Sequence, residues 1–343
     1  MTRTSRLLAG TMAALAAATC LTVSTAAGTA AADPSPAAGH VAYPGMNIDF
    51  DNQIDYPGEA CTLGALGTDS AGRKIGITAG HCNPWNNDAV PPEGFGPVPI
   101  NKGAPRGVEV AGNDHPVYDR RLLEVSKSAG IPPNPLSNPS IGQIRWVDPH
   151  VCQQGETGPG GLGCLAGYGE TSANSRTDYM IIEFDPAVEL WSGVYNKNGQ
   201  PVQAPGGGLF KVNSIYSDAS GAPALPPVSS QIVTFGAKSD RTPNPGPFGM
   251  ANEVAPSEGS VHSYIAPGMI RTRAGSQPGD SGGPVIARGT NKWVAIITAT
   301  PYQWYQPPQH VVTSAKNILD AINDPNRPGT IGRGFTITNN PNS

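Results

Sequence analysis

Short apolar runs, separated by long polar stretches rich in proline and glycine, set the pattern of the chain. Cys61 to Leu66, Lys74 to Ala79, Val108 to Val110, Arg121 to Val125, Ile141 to Val147 and Met180 to Phe184 read as strands of a first group. Gly208 to Ile215, Gln231 to Gly236, Met269 to Arg271, Gly283 to Ile286 and Trp293 to Thr300 form a second. The period then changes. From Val311 to Ile322, with Thr313 or Ser314 as N-cap and Ile318, Leu319 and Ile322 at helical spacing, the pattern predicts one C-terminal helix ending before Asp324-Pro325. Phe335 to Thr338 adds a last strand, and residues 339–343 read as a disordered tail. The Pro-rich segments Pro84 to Pro105 and Ile131 to Pro139 are flanked by strand signals and carry no charge run, so they read as rim loops rather than linkers. The fold class is all-β.

Composition agrees with many short strands and turns. The chain of 343 residues holds 43 glycines and 36 prolines, and only 14% of its residues are charged. Arg3 and Arg6 precede an uncharged stretch from Leu7 to Ala32 that ends in Ala30-Ala31-Ala32, a secretory signal peptide over residues 1–32. Its loss removes two arginines and no acid, which moves the net charge from −4 to −6. No basic patch argues for nucleic acid, and no membrane association outlasts signal cleavage. Residues 33–58, Pro-rich and without lysine or arginine, read as a leader ahead of one domain over 59–338. Four cysteines follow the signal, Cys61, Cys82, Cys152 and Cys164, an even number in an exported chain, which suits two disulfides in any of three pairings. Their spacings do not make a metal cluster, and the sequence calls for no cofactor.

The candidate chemistry centres on Gly279-Asp280-Ser281-Gly282-Gly283-Pro284, a lone serine between glycines where the backbone turns sharply. A serine hydroxyl needs a base to take its proton as it attacks. It also needs donors for the oxyanion, and side-chain-free neighbours leave the amides of Gly279 and Ser281 able to point together. Upstream, Thr78-Ala79-Gly80-His81-Cys82 puts a histidine at a strand end, and Asp178 leads into the apolar run Met180 to Ile182. Asp114, Asp119 and Asp148 also lie in that interval, but none opens a continuous apolar run. The order of residues excludes the α/β-hydrolase elbow, because no aspartate or glutamate lies between Ser281 and His310, the only later histidine. An acid, histidine, serine order through Asp69 and His81 lacks the helix that should follow the nucleophile.

Together, Thr-Ala-Gly-His-Cys, Asp-Tyr-Met-Ile-Ile and Gly-Asp-Ser-Gly-Gly-Pro resemble the chymotrypsin-like serine proteases of the trypsin superfamily, in their secreted bacterial form. The resemblance implies two antiparallel six-stranded β-barrels, about 59–200 and about 205–325, with the active site in the cleft between them. It implies a triad of His81, Asp178 and Ser281, an oxyanion hole from Gly279 and Ser281, and the disulfide Cys61–Cys82, which leaves Cys152 and Cys164 to pair by elimination. The implied partner is a protein or peptide substrate, and the implied molecule is an extracellular monomer. Six residues before the nucleophile, where trypsin-like members carry an acid, this chain has Gly275; Gly275, Ser276, Thr298 and Thr300 are the expected pocket, which disfavours Arg or Lys before the scissile bond. With no basic cleavage site ahead of the first strand, Asp280 needs a partner other than a freed amino terminus; Arg145, Arg271 and Arg273 are the candidates. The competing reading is a catalytically silent protein of this fold that serves in binding or adhesion.

Overall fold

In the computed structural model, residues 39–50, 60–84, 103–128, 139–149, 151, 177–241, 255–266, 268–299 and 310–340 are described, all within the unit Asp33–Ser343. The signal segment, Cys152, Cys164, Thr300 and the tail 341–343 lie outside them. The first group of elements comprises β1 (Val41–Ala42), β2 (Asn47–Asp49), β3 (Cys61–Thr62), β4 (Ala65–Thr68), β5 (Lys74–Thr78), β6 (Pro116–Asp119), α1 (Arg120–Ser128), β7 (Gly142–Val147), β8 (Met180–Phe184) and β9 (Glu189–Leu190). The sheet runs β4-β5-β8-β7-β6-β2-β3. It returns on itself because β3 and β4 are successive parts of one bent segment. At the bend, Leu63 N donates to Met46 O at 2.8 Å on one side and Gly64 N to Ile77 O at 2.9 Å on the other. Gly64 is obligatory there, since a Cβ would lie 2.5 Å from Gly282 O.

Within the expected leader, Asn47–Asp49 forms β2 of this sheet, while β1 pairs with β9 in a separate two-stranded sheet. β2 pairs with β3 and β6, and Met46, Ile48 and Phe50 are fully buried. Their apolar positions are too few for a strand signal, and long-range pairing supplies the rest. Arg121 to Val125, expected as strand, is helix α1. Asp119 caps it, accepting from Arg121 N at 3.0 Å, while Leu123 is buried. Val108 to Val110 is not a strand, although Val110 N bonds Arg145 O beside β7.

The second group comprises β10 (Ser214–Ile215), β11 (Gln231–Thr234), α2 (Ala237–Arg241), β12 (Ser257–Ala266), β13 (Met269–Thr272), β14 (Pro284–Ala287), β15 (Lys292–Ala299), β16 (His310–Ser314), α3 (Ala315–Asn323) and β17 (Thr336–Ile337). Pairings β11–β12, β12–β13, β13–β16, β16–β15, β15–β14 and β14–β11 close a ring of antiparallel strands. β12 left no sequence signal: of its middle residues only Val261 is buried to the core, and Tyr264 is exposed. The expected helix from Val311 begins later. Val311 and Val312 belong to β16, and Ser314 caps α3, its Oγ accepting from Asn317 N. The chain then crosses back, and β17 pairs with β4. The expectation of an all-β chain with a C-terminal helix holds; six strands close the ring of the second group, while the sheet of the first group counts eight with β17, and among the described residues no helix is long and apolar enough to cross a membrane.

Candidate active site

His81 sits on a single 3-10 turn, Gly80–Cys82, that ends β5. Gly80 is fully hemmed in, since a Cβ there would lie 2.3 Å from Val151 Cγ2 and 2.7 Å from Tyr179 O. β5 pairs with β8, Thr78 opposite Met180. That register puts His81 beside Asp178 across 97 residues of sequence. Asp178 is wholly buried, and each of its oxygens takes a group of His81: Oδ1 accepts from His81 N at 2.9 Å, and Oδ2 lies 2.8 Å from Nδ1. A proton on Nδ1 leaves Nε2 as acceptor, and Nε2 is 2.8 Å from Ser281 Oγ. Ser281 comes from the turn before β14, in the other sheet. The three expected triad residues therefore form one continuous hydrogen-bonded line.

The nucleophile turn is closed by Asp280 N to Gln277 O and Gly283 N to Asp280 O, both 2.9 Å, and tied to β15 by Gly282 N to Ile297 O at 2.7 Å. Gly279 has φ +99° and Gly282 φ +87°. Among the described residues neither the Gly279 nor the Ser281 amide has an acceptor, so both stand free for a developing anion. β3 braces the turn: Thr62 N donates to Ser281 O at 2.8 Å, and Thr62 Oγ1 to Gly279 O at 3.0 Å. The Cys61–Cys82 disulfide flanks that brace. Gly282 admits no side chain, because a Cβ would lie 2.0 Å from Thr78 Oγ1 and 2.2 Å from Thr62 O. Gly282→Ala should cost about 3 kcal/mol or more from the forced positive φ and the overlap together, lowering the melting midpoint by roughly 10 °C in a thermal scan.

Of the expected pocket residues, Gly275, Ser276 and Thr298 each have hydrogen-bond partners of their own. Gly275 is held by two side-chain hydroxyls, its N donating to Ser257 Oγ at 2.8 Å and its O accepting from Thr234 Oγ1 at 3.0 Å. Thr298 is fully buried, and its hydroxyl is 2.7 Å from Thr313 Oγ1. Ser276 Oγ lies 2.8 Å from His310 Nδ1. His310 is the residue that sequence reasoning left unused; its one signal is that it opens the apolar run Val311-Val312. Burial pushes the His310 imidazole down to about 4, so it is neutral at physiological pH. Its folded value lies below the ordinary 6.5, so the stability it contributes is present above pH 6.5 and lost as pH falls toward 4, by about 3 kcal/mol. Thermal melts between pH 7.5 and 4.5 should therefore show a steeper loss in the wild type than in His310→Gln. Among the described residues no three His, Cys, Asp or Glu side chains gather as metal ligands do.

No family model and no curated protein matches the chain. Among solved structures it is similar to Thermobifida fusca Protease A, at 13% identity and a TM-score of 0.43, over 87% of this chain and 100% of that one. It is similar to the Nocardiopsis protease NAPase at 14% identity and a TM-score of 0.40, over 81% and 96%. It is also similar to Cellulomonas bogoriensis chymotrypsin at 16% identity and a TM-score of 0.39, over 81% and 94%.

Proposed function

We propose that this chain is a secreted serine endopeptidase that hydrolyses peptide bonds through an acyl-enzyme on Ser281. The observation that carries the reading is the line from Asp178 Oδ2 to His81 Nδ1 and from His81 Nε2 to Ser281 Oγ, each step 2.8 Å. Such a line does one thing well: it moves a proton off a hydroxyl while the hydroxyl attacks a carbonyl. Ser281 Oγ bonds the scissile carbon as its proton passes to Nε2. The carbonyl oxygen, now negative, is received by the amides of Gly279 and Ser281. The imidazolium, steadied by the buried Asp178, returns the proton to the leaving amine. Water then repeats the sequence on the acyl group and releases Ser281.

The expected pocket residues Gly275 and Ser276 carry no charge, and Ser276 Oγ lies 2.8 Å from the neutral His310. That favours an uncharged or small residue before the scissile bond over Arg or Lys. Arg3 and Arg6 with the apolar stretch after them, together with the Cys61–Cys82 disulfide, support export to an oxidising compartment. The deciding experiment is a fluorophosphonate probe on the native secreted protein, followed by digestion of a peptide library. Labelling of native but not heat-denatured protein, with cleavage products, is the expected result. Folded protein that neither labels nor cleaves leaves the silent binding reading in its place.

A further inference from the structure

Asp280 stands next to the nucleophile yet takes no part in the proton relay. It is 1% exposed, and among the described residues it joins no ion pair. Instead, Ser239 in α2 occupies both of its oxygens. Ser239 N donates to Oδ1 at 2.8 Å, and Ser239 Oγ makes a short hydrogen bond to Oδ2. Gln277 N donates to Oδ2 at 2.8 Å, and Gln277 Nε2 donates to Ser239 Oγ at 3.2 Å. The fit is close: a Cβ on Gly236 would lie 2.0 Å from Asp280 Cγ. Burial raises the Asp280 carboxyl above its usual range, and hydrogen bonds from Ser239, Gln277 and Lys238 oppose that rise. Arg145, one expected partner, is engaged elsewhere, its Nε 2.6 Å from Glu183 Oε2.

The start of α2 is itself anchored to the catalytic turn. Ala237 N donates to Thr62 Oγ1 at 3.1 Å, and that same hydroxyl donates to Gly279 O at 3.0 Å. The carbonyl of Gly279 is thus fixed on one side and the side chain of Asp280 on the other, which leaves the peptide planes between them little freedom. We propose that Ser239 is a positioning residue for the reaction: by binding both oxygens of Asp280 it holds the Gly279 and Ser281 amides in the oxyanion-binding direction. The donors that lock Asp280 among the described residues, Ser239 and Gln277, are neutral. This rests on the peptidase reading, and it names what keeps that site assembled.

The test replaces Ser239 in the secreted protein and reads rates per fluorophosphonate-titrated site. Ser239→Ala should lower kcat by about 10- to 100-fold with KM within about twofold. It should weaken a peptide aldehyde, which needs the same two amides, by a similar factor. Hydrogen exchange across 277–283 should quicken at least about tenfold. Ser239→Thr, which keeps the hydroxyl, should restore most of each loss. Ser239→Cys, nearly equal in volume and a weaker donor, should reproduce it if the alanine variant does not fold. Exchange at the wild-type rate in folded Ser239→Ala overturns the proposal whatever its kcat, and so does a threonine variant no better than alanine. A wild type that never labels refutes the peptidase reading instead, and the exchange comparison still decides the lock.

Discussion

Ser281→Ala should abolish labelling by a fluorophosphonate and lower kcat by about 10⁶-fold, because alanine leaves no oxygen to form the acyl bond. The fold should survive. Among the described residues Ser281 Oγ has His81 Nε2 as its side-chain partner, and the backbone ties of the turn, Thr62 N to Ser281 O and Gly283 N to Asp280 O, do not involve the hydroxyl. The amide of residue 281 also remains, so a residual acceleration of about 10³- to 10⁴-fold over water is expected from oxyanion binding alone. The measurements are gel labelling, a progress curve on the best library peptide, and a thermal melt. A variant that melts with the wild type but keeps its labelling would place the reactive hydroxyl elsewhere.

The second large effect is expected at Asp178. Asp178→Asn should lower kcat by about 10⁴-fold, or between 5 and 6 kcal/mol of transition-state stabilisation, with little change in KM. The physical reason lies in the double contact with His81. A carboxylate accepts from the backbone N–H through Oδ1 and from Nδ1 through Oδ2, at 2.9 and 2.8 Å. An amide has one accepting end. Either His81 N loses its buried acceptor, or the amide NH₂ faces Nδ1 and forces the proton onto Nε2, where it blocks transfer from Ser281. Steady-state kinetics with a melt as control separates these from unfolding. A loss of less than tenfold in a folded variant would show that His81 keeps its tautomer without the acid.

Both effects fall on residues that local sequence could nominate but not assemble. His81 and Ser281 stand in short blocks whose glycines have an evident steric purpose, and Gly80, Gly279 and Gly282 do sit where a side chain clashes or φ is positive. Asp178 was separable from Asp148 and Asp119 because it opens a buried strand. In the structure those two have structural partners: Asp148 accepts from Thr177 Oγ1 at 2.7 Å, and Asp119 pairs with Arg121 and caps α1. The buried strands Lys74–Thr78, Met180–Phe184 and Pro284–Ala287 were legible for the same reason, a dense apolar run with turns at both ends.

Sequence alone therefore determined the class of fold and nominated Ser281, His81 and Asp178 as candidates, because steric and apolar demands at those places are local. Only the tertiary structure decided how distant pieces meet. β2 and β12 are strands because their neighbours supply hydrogen-bonding edges, not because their own residues alternate. Arg121 to Val125 is helix because Asp119 caps it and its buried face meets the sheet, where a run of mixed residues had suggested extension. Asp280 found Ser239 and Gln277 rather than an arginine, since burial next to α2 leaves room for small neutral donors. Ser276 found His310 through the placement of β16, which no motif announces. Partners such as these depend on distance in three dimensions, and a linear pattern does not carry that distance.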